Sequence, residues 1–158
     1  MAETATVGRA PTRCRVAADP WSLEHHHRIR VEVFVEEQGL FFPDDVDHHD
    51  ASPDTLKVLA DCVGEPAGTV RLFPLDVDAR LWQGDRLAVA RAFRRHSTGA
   101  PLVRFAVATA GRLGGERMIA HIQLGNVAFF ERLGWRPDGP IEVYVGVEHQ
   151  PMAIDLTR

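Results

Sequence analysis

The sequence is poor in cysteine, lysine and tyrosine, and it has no long apolar run. Cys14 and Cys62 are its only cysteines. Their spacing fits no zinc or redox motif, so both are expected to be reduced thiols. No segment approaches the ~18 consecutive apolar residues that a membrane span needs. Residues 1–13 lack the apolar stretch of a secretion signal, and we therefore expect a cytoplasmic protein.

The balance of charge excludes a further class of partner. Together, 18 lysines and arginines against 22 aspartates and glutamates give a formal net charge of −4. Because nucleic-acid binding needs a surplus of basic groups to neutralise phosphates, DNA and RNA are not expected partners. A chain of 158 residues, 45% hydrophobic and 25% charged, has the composition of an ordinary soluble protein with one core.

The N-terminal part predicts a leader, a strand and a helix. Residues 1–12 are expected to be a disordered leader and residues 13–158 one domain, with a first strand at 13–17. Asp19 is a good N-cap and is followed by proline at the first helical position. Apolar residues at helical spacing carry this helix to about residue 38, where glycine follows.

The remainder alternates between strands and helices, which favours a mixed α/β sheet covered on both faces. A strand at 84–93, a helix at 99–113 and a strand at 118–124 form a crossover, so the two strands are predicted to be parallel neighbours. The other predicted elements are strands at 56–63 and 68–75, joined by the turn Gly64-Glu65-Pro66, a helix at 126–133, and strands at 141–147 and 152–156.

The segment LAVARAFRRHSTGAPLV, residues 87–103, is the most informative. It runs from a strand through a basic loop into a helix that begins at Gly99. The unpartnered N–H groups at a helix start form an anion site, and Arg94, Arg95 and His96 add positive charge. This arrangement indicates a pyrophosphate site. The alternative is an ordinary strand-to-helix turn with solvated arginines.

Two motifs resemble signatures of the GNAT acetyltransferase family. In the first, Arg94, Ser97 and Gly99 fall on the Arg/Gln-x-x-Gly-x-Gly/Ala pattern of its pyrophosphate loop, with Ser97 replacing the first glycine. In the second, NVAFFERLGW at residues 126–135 resembles the family's Asn, aromatic pair and Leu-Gly-aromatic pattern. The resemblance, which covers residues 14–156, implies the GNAT fold: a largely antiparallel mixed sheet with helices on both faces and a splayed parallel strand pair.

The resemblance also implies that acetyl-coenzyme A is the acyl donor. Val89 would offer its backbone N–H to the developing oxyanion. Asn126 would contact the pantetheine arm and Phe130 would flank the thioester. The residues expected to contact the donor are Leu87, Ala88, Val89, Arg94, Arg95, His96, Ser97, Thr98, Gly99, Ala100, Asn126 and Phe130.

A third match concerns the end of the first helix, which reads Arg30-x-x-Val-Phe-Val-x-Glu-Gln. It resembles a GNAT subgroup, and the C-terminal AHIQ…NVAFFERLGW…HQPM suggests a branch linked to nitrogen starvation. The expected acceptor is a small molecule that carries an amine, which attacks the thioester directly. A homodimer is compatible with the sequence.

The residues that handle the proton are predicted separately, because Phe130 stands where many members of the family have a tyrosine hydroxyl. His121 shares one face of its strand with Gln123, between apolar neighbours, which indicates a cleft. The alternative is a buried, hydrogen-bonded histidine. Glu37 lies near the expected acceptor entrance and is a second candidate base, or an ordinary solvated carboxylate. Tyr144, the only tyrosine, is a weaker candidate.

Two further groups are candidates for binding. Arg71 alternates with apolar residues and is expected to bind an acceptor carboxylate or to pair with Asp50. Residues 25–27 are three consecutive histidines. On a helix their side chains point in directions about 100° apart, so they do not converge on one ion. The His/Asp run at 47–50 has no metal-ligand spacing either, so we predict no metal.

Two other functions stay open at this point. One is a catalytically silent acyl-coenzyme A sensor or assembly partner, because Phe130 and Ser97 depart from the family pattern. The other is a metal-dependent enzyme that uses the histidine and aspartate residues.

Overall fold

Among residues 11–156, which the computed structural model describes, eight strands form one sheet. The order is β1-β2-β3-β4-β5-β8-β6, with β7 paired to β8. All pairs are antiparallel except β4 with β5, as the sequence predicted. The strands are β1 (Thr12–Val16), β2 (Leu56–Cys62), β3 (Glu65–Asp76), β4 (Leu81–Val89), β5 (Arg117–Gln123), β6 (Arg136–Pro137), β7 (Glu142–Tyr144) and β8 (Val147–Asp155).

Helix α1 (Pro20–Arg30) begins at the predicted residue. The Asp19 carboxylate accepts a hydrogen bond from the backbone N–H of Ser22 at 3.0 Å, which caps the first turn. The chain then continues as a π-helix over Val31–Glu37, a form that is often found at functional sites. Gly39, at φ +62°, turns the chain away.

A bulge in β4 changes which side chains face the two helical layers. The register with β3 shifts between Thr69 and Arg71, and Arg86 has φ +52°. Trp82 and Leu87 are an odd number of residues apart, yet both pack into the same hydrophobic cluster. The bulge therefore reverses the alternation of β4 before the strand reaches its end.

Helix α2 (Gly99–Arg112) connects β4 to β5 as predicted. The ladder between these strands covers only Leu81–Gln83 and Arg117–Ile119, and beyond it they diverge. Gly68 allows α2 to approach the sheet, because a Cβ there would lie 2.9 Å from Leu102 Cδ1 of that helix. The third helix, α3 (Val127–Arg132), follows β5.

Several predicted boundaries are wrong for local reasons. The strand predicted at 141–147 is two strands, because Val145 and Gly146 adopt positive φ and form a hairpin turn. The strand predicted at 84–93 ends at Val89, and Arg91–His96 form a 3₁₀ helix. The turn placed at residues 64–66 consists of residues 63 and 64, because β2 ends at Cys62 and β3 begins at Glu65. The leader predicted at 1–12 falls mostly outside the described residues, and its last residue opens β1.

The core consists of two hydrophobic clusters on opposite faces of the sheet. The larger cluster lies under α2 and α3, and the smaller one lies under α1. Neighbouring residues of β2 separate into the two clusters: Val58 and Ala60 join the larger and Leu59 the smaller. No helix within residues 11–156 is long and apolar enough to cross a membrane.

Candidate active site

A cleft opens where β4 and β5 diverge, with residues 84–87 on one wall and 120–123 on the other. Elements from both helical layers and the C-terminal hairpin complete it. Its remaining lining residues are Phe34, Gln38, Leu40, Phe41, Val70, Val103, Ala106, Met118, Asn126, Phe130, Trp135, Tyr144, Val145 and His149.

The cleft is polar on one face of the sheet and apolar on the other. His121 and Gln123 lie on the face that carries α1, and Gln123 donates a hydrogen bond to Gln38 at 3.1 Å. Ala120 and Ile122 alternate with them and pack into the larger cluster under α2. Because both sets line the same opening, the cleft passes through the sheet.

His121 lies on the polar side and is held by a carboxylate. Its Nδ1 is hydrogen-bonded to Glu142, which sequence reasoning missed. In the neutral ring Nδ1–H donates this bond, so Nε2 carries the lone pair. Tyr144 stacks on the imidazole with 4.6 Å between ring centroids and 10° between planes. A histidine oriented by a carboxylate is the usual arrangement of a general base.

His149 is a second histidine of the cleft that the sequence did not reveal. It pairs with Gln123 across β5 and β8 and is 5% exposed. Its Nδ1–H donates to the Val147 carbonyl oxygen at 2.8 Å, and its ring meets Tyr144 edge-on at 5.4 Å. The predicted last strand began at residue 152, so the pairing that places His149 opposite Gln123 was not foreseen.

A second, cationic groove follows the loop before α2. Arg104 and Arg132, which were not predicted, contribute to it. No side chain caps the first turn of α2, so its N–H groups remain available to an anion. Other residues of the groove are Thr12, Val89, Arg94, His96, Ser97, Thr98, Gly99, Ala100, Pro101 and Phe129.

Two polar atoms of the groove residues lack a partner among residues 11–156. They are His96 Nδ1 and Thr98 Oγ1, and both are buried. Buried polar atoms are normally hydrogen-bonded, so a bound group is a natural source of their partners. Together with the basic side chains, these atoms fit a pyrophosphate.

Ser97 occupies the left-handed region of the backbone at φ +56°. This region favours glycine, the residue that the family pattern has here. The loop thus keeps the conformation of the glycine, at the cost of steric strain in the serine backbone.

Val89, at the end of β4, lines the cationic groove. Ala90 donates its N–H to the Ala67 carbonyl oxygen at 2.8 Å, on the side of β3. Since successive backbone groups of a strand point to opposite edges, the N–H and C=O of Val89 point towards β5. In agreement, Arg94 Nε donates to the Val89 carbonyl oxygen at 3.2 Å.

Glu37 and Arg94, predicted for different roles, form an ion pair. Arg94 Nη2 lies 2.9 and 2.8 Å from the two carboxylate oxygens of Glu37. The side chain of Glu37 is 16% exposed and that of Arg94 is 44% exposed. A phosphate that binds Arg94 therefore competes with Glu37.

Replacing Glu37 with glutamine is expected to raise the affinity for coenzyme A. The variant loses the carboxylate that competes for Arg94, and an exposed ion pair of this kind corresponds to a change of about 1.5- to 5-fold. Calorimetric titration with coenzyme A measures the change, and Glu36→Gln is the matched control because Glu36 is exposed. Unchanged affinity in Glu37→Gln would show that the phosphates do not engage Arg94.

Arg71 and Asp50 lie in a buried network of charges behind the cleft. All five N–H donors of Arg71 bind carboxylate oxygens of Asp47, Asp50 and Asp85, at 2.6–3.0 Å. Arg71 is fully buried, so it has no donor left for an acceptor carboxylate. Of the two predicted roles, the structure shows the pairing with Asp50. Arg30 adds two hydrogen bonds to Asp50.

The network changes the pKa values of its members. Burial alone would raise the pKa of Asp50, but hydrogen bonds, above all from Arg30, hold it well below its ordinary value. Burial opposes the charge of Arg71, yet the hydrogen bonds that it donates to Asp85 and Asp47 raise its pKa above the ordinary value. Both groups therefore stay ionised at neutral pH.

The other residues predicted to contact the acyl donor separate into two sets. Leu87, Asn126 and Phe130 line the cleft. Ala88 is buried in the cluster under α1, and Arg95 is exposed and lines neither cavity. Ala88 faces away from Leu87 and Val89 because successive side chains of a strand point to opposite faces of the sheet.

One group of possible metal ligands lies among the described residues. A ligand atom from each of His27, Asp44 and Asp45 falls within 4.8 Å of the others. Asp45 is bound by Arg30 at 2.7 Å, which commits one of its oxygens. His26 points elsewhere: it is buried under β3, and burial lowers its pKa to about 3.

The chain belongs to the acetyltransferase (GNAT) family, which matches residues 19–135. This confirms the family that the two sequence signatures indicated. The fold is the GNAT fold, with the predicted parallel pair at its centre.

Individual proteins agree with this assignment. A Bacillus subtilis (strain 168) protein is 28% identical over 122 residues, which cover 77% of this chain and 81% of that protein. Its name classes it as an acetyltransferase. A solved Lactobacillus plantarum protein, named for N-acetyl transfer, superposes with a TM-score of 0.81 at 24% identity and covers 92% of this chain and 99% of its own. An acyl-CoA N-acyltransferase from Pseudomonas aeruginosa has a TM-score of 0.76 at 22% identity, and the match covers 91% of this chain and 98% of that protein.

Proposed function

We propose that this protein transfers an acyl group from acyl-coenzyme A to the amine of a small molecule. The observation that carries the proposal is that the cationic groove and the cleft lie next to each other along β4: Val89 lines the groove, and Leu87, two residues earlier, lines the cleft. A donor with its phosphates in the groove places its thioester at the divergence of β4 and β5.

The groove supplies the contacts for the donor. Arg94, Arg104 and Arg132 provide charge for the phosphates, and the first turn of α2 provides N–H groups. Asn126 and Phe130 stand on the cleft side, where the pantetheine arm and thioester lie. Acetyl-coenzyme A is the donor that the sequence signatures indicate.

The reaction requires positioning, an oxyanion donor and a proton acceptor. The acceptor amine attacks the thioester carbon, a C–N bond forms, the C–S bond breaks, and coenzyme A leaves as the thiol. The Val89 N–H stabilises the negative charge on the carbonyl oxygen. His121, oriented by Glu142, removes the proton of the attacking amine through Nε2, directly or through water.

Phe130 has no proton to donate to the departing thiolate. It is 5% exposed and meets Trp135 edge-on at 5.4 Å, so it also belongs to the core. His121, once protonated, is the donor that the cleft offers to the thiolate. Tyr144 stacks on this histidine and lies within the same cleft.

A catalytically silent sensor of acyl-coenzyme A is the second candidate function. The observations that favour it are the absence of a hydroxyl at Phe130 and the strained backbone of Ser97. Screening a library of amines, with release of the coenzyme A thiol as readout, separates the two functions. Turnover with any amine excludes the sensor.

The finer assignments remain part of this proposal. They are acetyl as the acyl group, an amine as the acceptor, the branch linked to nitrogen starvation, a cytoplasmic location and a homodimer. The sequence motifs support the first three.

Acetyl-coenzyme A is expected to raise the melting temperature, and Gly99→Val is expected to abolish the rise. A ligand at 100 times its Kd stabilises the folded state by ~2.7 kcal/mol, which corresponds to about 5–10 °C here. A Cβ at Gly99 lies 3.4 Å from Phe129 Cζ, an ordinary contact, so the fold tolerates it while the branched methyls obstruct the groove. Differential scanning fluorimetry measures both proteins.

Ala108→Val is the matched control, because Ala108 lies on the exposed face of the same helix. It tests whether a β-branched residue in α2 changes the melting behaviour by itself. If Gly99→Val keeps the full shift, the phosphates bind elsewhere.

A further inference from the structure

The cleft is deeper than an acetyl group requires. Beyond the divergence of β4 and β5 it reaches Val103 and Ala106 of α2, and it is closed by Met118, Phe130 and Trp135. All five residues are buried in the larger hydrophobic cluster. The inner part of the cleft is therefore an apolar pocket within the core.

Small residues create this space. Gly84, Ala106 and Ala120 line the pocket from β4, α2 and β5. A Cβ added at Gly84 would stand 3.4 Å from Met118 Sδ and 3.9 Å from the Arg71 carbonyl oxygen. β4, α2 and β5 thus meet with very small side chains at the point where an acyl chain would enter.

The size of the space exceeds that of a methyl group. The cleft has a volume of about 140 Å³. This is close to the ~150 Å³ of an engineered apolar cavity that binds benzene, a molecule of six carbons. This volume belongs to the whole cleft, polar and apolar sides together, and the single methyl that ends an acetyl group fills only a small part of it.

The charges near the pocket are already neutralised. Asp85 accepts two hydrogen bonds from Arg71 at 2.7 and 2.6 Å. Arg86 lies 3.0 Å from the Asp45 carboxylate and covers the ring of Phe41 at 4.5 Å. The wall consequently offers no available charge to an acyl group that ends in a carboxylate.

One polar atom of the inner wall has no partner within residues 11–156. It is Nε1 of Trp135, whose side chain is 4% exposed. A single water satisfies one indole N–H.

The geometry points to a short apolar acyl chain, longer than acetyl, as the group that this pocket holds. The inference rests on the proposed acyl transfer and replaces acetyl, the group that the sequence signatures indicate, with a longer apolar chain. Each methylene transferred from water to an apolar site contributes about fourfold in affinity. Chains longer than the pocket lose this gain, because they meet the closed wall of Phe130 and Trp135.

The test is direct binding of a series of donors to the intact protein without acceptor. Calorimetric titration compares coenzyme A with its acetyl, butyryl, hexanoyl and dodecanoyl thioesters. We expect Kd to fall at least tenfold from acetyl to hexanoyl and to rise again at dodecanoyl. Equal affinities along the series, or tightest binding of acetyl, would overturn the inference. Failure of coenzyme A itself to bind would instead contradict the proposed function.

Ala106→Leu fills the pocket and is expected to reduce the preference for hexanoyl over acetyl at least tenfold, with unchanged affinity for coenzyme A. Ala108→Leu on the exposed face of α2 is the matched control and keeps the preference. Gly84→Ala, whose added methyl makes only ordinary contacts, provides the same test if Ala106→Leu does not fold. A folded pocket variant that keeps the full preference places the acyl chain outside this space.

Discussion

Replacing His121 with alanine is expected to reduce turnover by roughly 10²–10⁴-fold, the contribution of a positioned general acid or base. The affinity for coenzyme A is expected to remain unchanged, because His121 lies in the cleft and not in the cationic groove. Steady-state kinetics measures the turnover, and calorimetric titration measures the affinity for coenzyme A.

Two companion variants show how His121 acts. Tyr144→Phe keeps the ring that stacks on the imidazole, so it is expected to change turnover little. Glu142→Gln keeps a hydrogen bond to Nδ1 of His121 but removes the negative charge. We therefore expect a partial loss of turnover and a shifted pH–rate profile. Loss of activity in Tyr144→Phe with an active His121→Ala would assign the proton transfer to Tyr144.

A different result would identify another part of the cleft. His149 also faces the cleft, and its Nδ1 is held by the Val147 carbonyl. If His121→Ala retains full activity and His149→Ala does not, the base is His149. If both variants are active, the Val89 N–H and positioning are sufficient, and the amine arrives already deprotonated.

The central crossover was predictable because its signals are local. The helix start at Gly99 and the apolar strands on either side predicted the parallel pair, and the structure confirms it. The N-cap of α1 was predictable for the same reason, since Asp19 and Ser22 are only three residues apart. Cap residues and apolar periodicity are properties of short segments.

The polar side of the cleft was predictable only in part. His121 and Gln123 follow from strand alternation alone. Glu142 and His149 do not, because their positions depend on the hairpin at Val145 and on its register with β5. Residues 21 and 28 positions away from His121 come together by pairing that no short pattern describes.

The role of Arg71 was underdetermined for a similar reason. Strand alternation identified Arg71 as a polar residue in an apolar strand, and Asp50 as a partner. Two other partners, Asp47 and Asp85, come from a loop and from a strand with a bulge. The sequence therefore left open whether Arg71 had a donor available for an acceptor, and the structure accounts for all five.

Removing Arg71 is expected to lower the free energy of unfolding by about 3–5 kcal/mol, because it takes away the guanidinium that binds all three of these carboxylates in a buried network. Arg71→Ala leaves Asp47, Asp50 and Asp85 facing one another in a site that is largely closed to water. Urea denaturation followed by tryptophan fluorescence measures the difference. Arg80→Ala is the control: Arg80 pairs with Glu116 at the surface, where removal changes stability by less than about 1 kcal/mol.

The loss of stability in Arg71→Ala is expected to change with pH in one direction. The pKa values of Asp47 and Asp50 are held below their ordinary values, so their stabilisation is present above an ordinary aspartate pKa and disappears as the pH falls through the lowered values. In Arg71→Ala these carboxylates accept protons more easily. The difference between the two proteins is thus expected to be largest near pH 7 and to narrow below about pH 4. A difference that is constant across this range would show that Arg71 stabilises the fold by packing rather than by charge.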